Sequence, residues 1–245
     1  MQKVAAITGA YGGLGAELSK LLARKGYALV LGGRNAGKLQ ELIDSLGSTC
    51  KAIAVVIDVT NPKDCEKFVN TAVSKFGRLD LLINNAGTWK KTIFEELTPM
   101  EIQDMFVTNA FGPMYCSQVA VKIMKKQNSG HILNIGSTAG VDYMTGNVAY
   151  GSAKAALIAF TACLGKQLNG TGIKVTAFSP GAFKTEIFKH NPEIYETDFY
   201  KNAMLPEFVA KKVMKHIENP KKWHVVLQNK RNSLLAFNTL RSSSK

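Results

Sequence analysis

The chain has 245 residues, is 46% hydrophobic and 20% charged, and carries four widely spaced cysteines. That composition suits a globular α/β core and argues against a disordered, fibrous or disulfide-stapled protein. Its 31 basic and 18 acidic residues give a net charge of +13, and nine Lys or Arg against the single acid Glu218 fall between Lys211 and Lys245.

A basic end of that kind reads first as a solvated tail, residues 229–245, with binding of an anionic partner as the second reading and no nucleic-acid role expected. MQKVAAITGA enters a strand directly, without the basic-then-apolar lead of a signal segment. No run approaches the roughly 18 apolar residues of a membrane span. Cys50, Cys65, Cys116 and Cys163 form no C-x-x-C pair, so a cytoplasmic protein with reduced thiols and no metal site is expected.

In chain order, Val4–Ile7 reads as a strand and Leu14–Lys25 as a helix closed by Gly26. Between them lies TGAYGGLG, Thr8 to Gly15, with four of the 21 glycines. A glycine turn from strand to helix exposes the first helical N–H groups, and their dipoles favour a pyrophosphate brought against bare backbone. Gly9, Gly13 and Gly15 give G-x-x-x-G-x-G, not the more common G-x-G-x-x-G.

The second strand, Ala28–Leu31, runs into LGGRN. A carboxylate normally stands there to bind a ribose 2′-hydroxyl, but this chain has Arg34, whose planar fork suits a 2′-phosphate. NADP(H) is therefore expected in preference to NAD(H).

Strands Ala52–Ile57, Leu79–Ile83, His131–Ile135, Ile173–Phe178 and His224–Leu227 follow, as continuous apolar runs of the kind buried on both faces of a parallel sheet. Helical patterns separate them, among them Asn61–Phe76 with Pro at its start and Gly77 at its end. The segment Ala149–Leu168 puts Ala149, Ala153, Ala156, Phe160, Cys163 and Leu168 near one stripe and reads as a buried helix. The alternation predicts one doubly wound α/β domain, residues 1–228. Its irregular stretch, Ala182–Leu205, is too long for an ordinary loop.

On the predicted buried helix, Tyr150 and Lys154 stand four apart and share a face. A phenol near pKa 10 exchanges protons poorly at neutral pH, and a neighbouring ammonium favours the phenolate. Ser137 follows the fifth strand, on the same carboxyl-end rim as the glycine turn, where its hydroxyl could hold a substrate oxygen. NNAG (Asn84 to Gly87) and SPG (Ser179 to Gly181) end the fourth and sixth strands on that rim. Carbonyl reduction needs such a proton donor and such a hydroxyl beside a hydride source.

Together TGAYGGLG, Asp58 in DVT, NNAG, Asn109 in VTNAFG, Ser137, Tyr150-x-x-x-Lys154 and Pro180–Gly181 resemble the short-chain dehydrogenase/reductase family in its single-domain branch, from Lys3 to about Leu227. The resemblance implies a Rossmann-type fold with a seven-stranded parallel sheet in the order 3-2-1-4-5-6-7. It implies Tyr150 as general acid/base, Ser137 orienting the carbonyl, and Lys154 holding the nicotinamide ribose while lowering the Tyr150 pKa. Asn109 would complete a proton relay through a backbone-held water. The cofactor would lie on Gly9, Tyr11, Gly12, Gly13, Leu14 and Gly15, with Asp58 and Val59 at the adenine. Asn85, Ala86, Gly87, Pro180, Gly181 and Thr185 would complete its contacts, Thr185 at the carboxamide.

The family also implies a helix–helix homodimer, and a substrate lid over 182–205. Two departures stand out: HVVLQNKRN replaces the V-D-G-G strand that supports tetramers, and Gly12 is not basic. Phe183, Phe188, Tyr195 and Phe199 beside Lys184, Lys189 and Lys201 would suit an apolar substrate with an anionic part, such as an acyl thioester on a carrier. The expected function is NADP(H)-dependent reduction of a small-molecule carbonyl or oxidation of the alcohol. A catalytically silent NADP-binding sensor or scaffold, and anionic-partner binding through the tail, stay open beside it.

Overall fold

The computed structural model describes residues 1–90, 93–142, 148–188 and 192–228. Lys189 and the tail 229–245 lie outside the described residues. Seven strands appear in chain order: β1 Val4–Thr8, β2 Ala28–Gly33, β3 Ala52–Val56, β4 Leu81–Asn84, β5 Gly130–Ile135, β6 Ile173–Pro180 and β7 His224–Leu227. They pair in parallel as a single sheet in the order β3-β2-β1-β4-β5-β6-β7. Every residue of β1, β2 and β4 is buried, as expected for strands covered on both faces.

Helices α1 Gly13–Arg24, α2 Ala36–Ser45, α3 Pro62–Phe76, α4 Pro99–Phe106, α5 Gly112–Gln127, α6 Val148–Gln167, α7 Asp198–Lys201 and α8 Pro206–Glu218 connect or cover the strands. Two cores result. On one face Phe68, Leu82, Cys116, Met124 and Ile132 pack between the sheet and α3 and α5. On the other Leu18, Leu31, Ile83, Leu133 and Val213 pack under α1 and α8.

Local chemistry fixes the helix ends. Asn61 accepts the Lys63 N–H at 2.9 Å ahead of Pro62, and α3 stops at Gly77, which takes φ 78°. There the left-handed conformation costs a glycine least. Thr98 and Glu101 form a reciprocal capping box on α4.

Two expectations need correcting here. The fourth strand starts at Leu81, two residues later than the apolar run suggests. Leu79 instead exchanges two hydrogen bonds with the Gln127 side-chain amide, at 2.9 and 2.8 Å, so its backbone is satisfied outside the ladder. On α6, the buried face is Ala149, Gly151, Ala153, Lys154, Leu157 and Thr161, whereas Cys163 is exposed. This helix is apolar all round, so periodicity alone could not choose which face meets the sheet. By length and composition α6 is also apolar enough to cross a membrane, with a third of that window buried. A core helix meets the same description.

Candidate active site

The glycine turn runs from β1 into α1 with Gly12 as the cap residue and no side-chain cap. Its N-terminal N–H groups thus have no competing carboxylate or hydroxyl. Gly9 takes φ 62°, and a Cβ there would stand 2.9 Å from Ala86 Cα. At Gly15 a Cβ would run into the Gly9 carbonyl and come within 2.9 Å of the Ala10 carbonyl. By contrast, a Cβ at Gly12 would meet nothing closer than 3.4 Å. Gly9 and Gly15 are thus required by the turn itself, whereas the fold does not demand Gly12. Leu14 turns its side chain into the core, which leaves its backbone for the turn.

Thr8 welds this turn to the loop after β4. Its hydroxyl accepts the N–H groups of Asn85 (3.0 Å) and Ala86 (3.1 Å). The Asn85 amide donates back to the carbonyls of Thr8 and Gly9, each at 3.0 Å. Asn85 is therefore spent on joining two loops, and Ala86 and Gly87 present backbone beside it. Thr8 was not among the residues expected at the site, although it opens the motif.

At the end of β2, Tyr11 lies over Gly33, where a Cβ would come within 2.9 Å of Tyr11 Cδ1. Arg34 is exposed one residue past β2. Asn35 caps α2 by accepting the Lys38 N–H at 2.9 Å. The Lys38 ammonium stands 5.9 Å from the Tyr11 ring centroid and 3.6 Å from the Glu186 carboxylate, a second cation that sequence reasoning passed over. Asp58 accepts the Thr60 N–H and hydroxyl at 2.9 and 2.8 Å, and the buried Val59 packs on Gly112.

Between α4 and α5 the chain makes a π-helical turn, Val107–Phe111. Such turns open the helical ladder and occur at functional sites. Asn109 sits fully buried within it and donates to the carbonyls of Thr88 and Met105, both at 2.9 Å. Its own carbonyl accepts the Thr88 N–H at 3.3 Å. The side chain is fully engaged, so any relay through Asn109 runs through its backbone.

Gly87 touches both sides of this arrangement: a Cβ on it would be 2.9 Å from Asn109 Oδ1 and 3.7 Å from Lys154 Nζ. Lys154 is 4% exposed and donates to the Ile135 carbonyl at 2.9 Å. Tyr150, one turn earlier on α6, has its ring centroid 5.8 Å from that ammonium. Ser137 follows β5, and its hydroxyl oxygen accepts the Ala139 N–H at 3.2 Å, which leaves its proton free to donate.

Burial pushes the Tyr150 phenol up to about 12, against a downward pull from its hydrogen bond with Ser137. Burial likewise lowers the Lys154 ammonium to about 8. The sequence suggested a phenol lowered by its lysine neighbour; here burial is the larger influence and the downward pull comes from Ser137. Burial keeps the proton on the phenol at neutral pH and makes it a weaker acid than free tyrosine.

Beyond β6, Gly181 donates to the Leu227 carbonyl at 2.8 Å, which anchors Pro180–Gly181 to β7. Thr185, half-buried, accepts the Ile187 N–H at 3.3 Å. The two ends of the 182–205 stretch join: the Lys184 N–H donates to the Met204 carbonyl at 2.8 Å, and the Met204 N–H donates to the Ala182 carbonyl at 3.1 Å. Phe188 of this stretch meets Trp89, from the loop after β4, edge to face at 4.9 Å between centroids. No sequence period marks Trp89, and its position two residues past Gly87 on the rim was the one available signal. Among the described residues no cluster of His, Cys, Asp and Glu is arranged to hold a metal ion.

Comparison with known proteins gives the same picture. The sequence model of the family described as short chain dehydrogenase matches residues 3–195. The chain is 35% identical over 224 residues to an uncharacterised oxidoreductase of Staphylococcus saprophyticus, covering 89% of this chain and 91% of that one. A closed-form serine dehydrogenase complexed with NADP+ superposes with a TM-score of 0.82 at 30% identity, covering 91% of this chain and 93% of the other. An actinorhodin polyketide ketoreductase crystallised with NADPH gives 0.83 at 26% identity, with coverage of 92% and 95%.

Proposed function

This chain belongs to the short-chain dehydrogenase/reductase family of oxidoreductases, and from that premise we propose that it transfers a hydride between NADP(H) and a carbonyl or secondary alcohol. The observation carrying the reading is the convergence of Ser137, Tyr150 and Lys154 at the carboxyl end of β5, beside the glycine turn. The cradle fits a dinucleotide: side-chain-free backbone at Gly12 and Gly13, an uncapped α1 terminus, and no acid at the Arg34 position. When bound, the nicotinamide supplies or accepts the hydride.

The protein's own part is proton transfer and orientation. Ser137 donates to the substrate oxygen and holds it beside the Tyr150 hydroxyl. Tyr150, protonated at neutral pH, delivers its proton to that oxygen as negative charge develops. The Lys154 ammonium, held by the Ile135 carbonyl, steadies the phenolate left behind. Buried Asn109 fixes the loop that carries Thr88 and Gly87 against these groups.

Arg34, together with Lys38, favours a 2′-phosphate, and NADP(H) in two neighbouring structures supports that preference. Comparing the Kd of NADPH and NADH tests this. Arg34→Asp should weaken NADPH by about tenfold or more, the cost of about one charge-assisted pair, and leave NADH unchanged. Equal affinities in the parent protein would remove the NADP preference.

We also propose that two copies pair through α5 and α6, because only a third of the apolar α6 window is buried by its own chain. Sedimentation at equilibrium should give twice the chain mass. The four unpaired thiols suit a cytoplasmic setting.

A further inference from the structure

β6 is longer than the strand beside it, and the difference leaves part of its outer edge open. Its residues 173–176 have no partner in β7, which starts with His224 opposite Ala177. Ala177 donates its N–H outward to the Trp223 carbonyl at 2.7 Å, whereas Phe178 accepts the Gly136 N–H at 2.8 Å on the β5 side. Backbone polar groups alternate in direction along a strand, so Val175 turns its N–H and C=O the same way as Ala177. Among the described residues nothing bonds them. Val175 is only 5% exposed, and backbone groups buried to that degree ordinarily have a partner.

A groove of about 760 Å³ follows this open edge, between the C-terminal half of α6 and residues 220–223. Leu168, Val175 and Trp223 give it apolar walls, with Trp223 51% exposed. Lys166, Lys174 and Lys222 also line it, and no acid does. Among the described residues none of these three ammonium groups has an ion-pair partner. No α5 residue contributes, and the groove opens at the amino-terminal end of β6, whereas Ser137 follows the carboxyl end of β5.

From the open edge, the unbonded backbone groups and the three cations together, we infer that this groove takes an extended acidic peptide segment of a partner protein, added as a strand beside β6. A strand brings a carbonyl and an N–H together, in the spacing that the Val175 backbone needs. Its carboxylates meet Lys166, Lys174 and Lys222, and the same lysines turn away neutral and basic strands. Other occupants fit less well. Residues 229–245 carry Lys230, Arg231, Arg241 and Lys245 and no acid, and they follow β7, whose last residue pairs with Pro180 at the far end of β6. A second copy meeting this groove with its own would set like charges together. A nucleic acid would satisfy the cations but offers no peptide backbone to Val175.

The test is fluorescence anisotropy of the full chain with a labelled heptapeptide that alternates valine and glutamate. The probe should bind, and Lys174→Glu combined with Lys222→Glu should weaken it by about tenfold or more while the NADPH Kd is unchanged. The same heptapeptide N-methylated throughout keeps every carboxylate and loses every backbone donor, so it should bind about fivefold more weakly or worse. Hydrogen exchange at the Val175 amide should slow by about tenfold when the probe saturates. Equal binding of the N-methylated probe, or of a single-stranded oligonucleotide, reduces the groove to a polyanion surface and overturns the strand reading. No binding of the glutamate probe at about 1 mM overturns it outright. If the lysine exchanges alter the sedimenting mass and leave the probe affinity alone, the groove is a contact between copies and the partner assignment fails. All of these readouts are independent of turnover, so the oxidoreductase reading stands or falls separately.

Discussion

Lys154 donates to the Ile135 carbonyl at 2.9 Å, and this one bond holds a buried ammonium 5.8 Å from the ring centre of Tyr150. A lysine at 4% exposure, brought down to about 8, is costly to the fold and makes sense as a functional group. Lys154→Met should therefore cut turnover by roughly 10²–10⁴-fold, the range of a lost proton-transfer partner. It should also raise Tm, because an uncharged side chain of similar length relieves the desolvation. Activity assays and thermal melts of the same preparation check both signs. A variant less stable and nearly as active would contradict this account.

Asn109 shows the opposite balance, with every polar atom matched. Asn109→Ala should cost about 2–3 kcal/mol, since buried carbonyls and an N–H lose their partners. Asn109→Asp should be no better, because it sets carboxylate oxygens against the Thr88 and Met105 carbonyls. Urea melts would measure both.

Gly12 and Gly15 should separate folding from cofactor binding. Gly15→Ala drives a Cβ into the Gly9 carbonyl and should destabilise the protein measurably. Gly12→Ala has room, so its melting should be near that of the parent, yet NADPH affinity should fall by about tenfold as the methyl holds the phosphate off the helix end. Fluorescence titration beside a melt distinguishes the two.

Buried His131, hydrogen-bonded to Thr176 at 2.8 Å, is pushed down to about 3, chiefly by burial. The unfolded chain binds a proton near 6.5 that the folded one refuses, so stability is whole above 6.5 and falls with pH toward 3. The slope owed to this residue is about 1.4 kcal/mol per pH unit within that window. His131→Gln, measured by urea unfolding at several pH values, should flatten the profile by about that amount.

Much of this molecule was legible in its sequence because both-faces-buried strands announce themselves as continuous apolar runs ended by turn residues. β1, β2 and β6 begin where those runs begin, and Tyr150 and Lys154 lie together on one helix, with the ammonium 5.8 Å from the ring centre. Other features depend on distant partners. Leu79 left the strand because Gln127, 48 residues away, satisfies its backbone. The π-helical turn at Asn109 closes on Thr88, 21 residues away. The raised pKa of Tyr150 also differs from the sequence expectation, because desolvation is set by everything packed around it. Trp89 was silent, since a loop residue carries no period.

The account turns on the Tyr150 hydroxyl, and single-turnover NADPH oxidation by Tyr150→Phe addresses it most directly. With NADPH affinity unchanged and the fold intact, the rate with a carbonyl substrate of the parent enzyme should drop by roughly 10²-fold or more, since one oxygen atom supplies the proton. A rate within a few-fold of the parent would show that the proton comes from elsewhere.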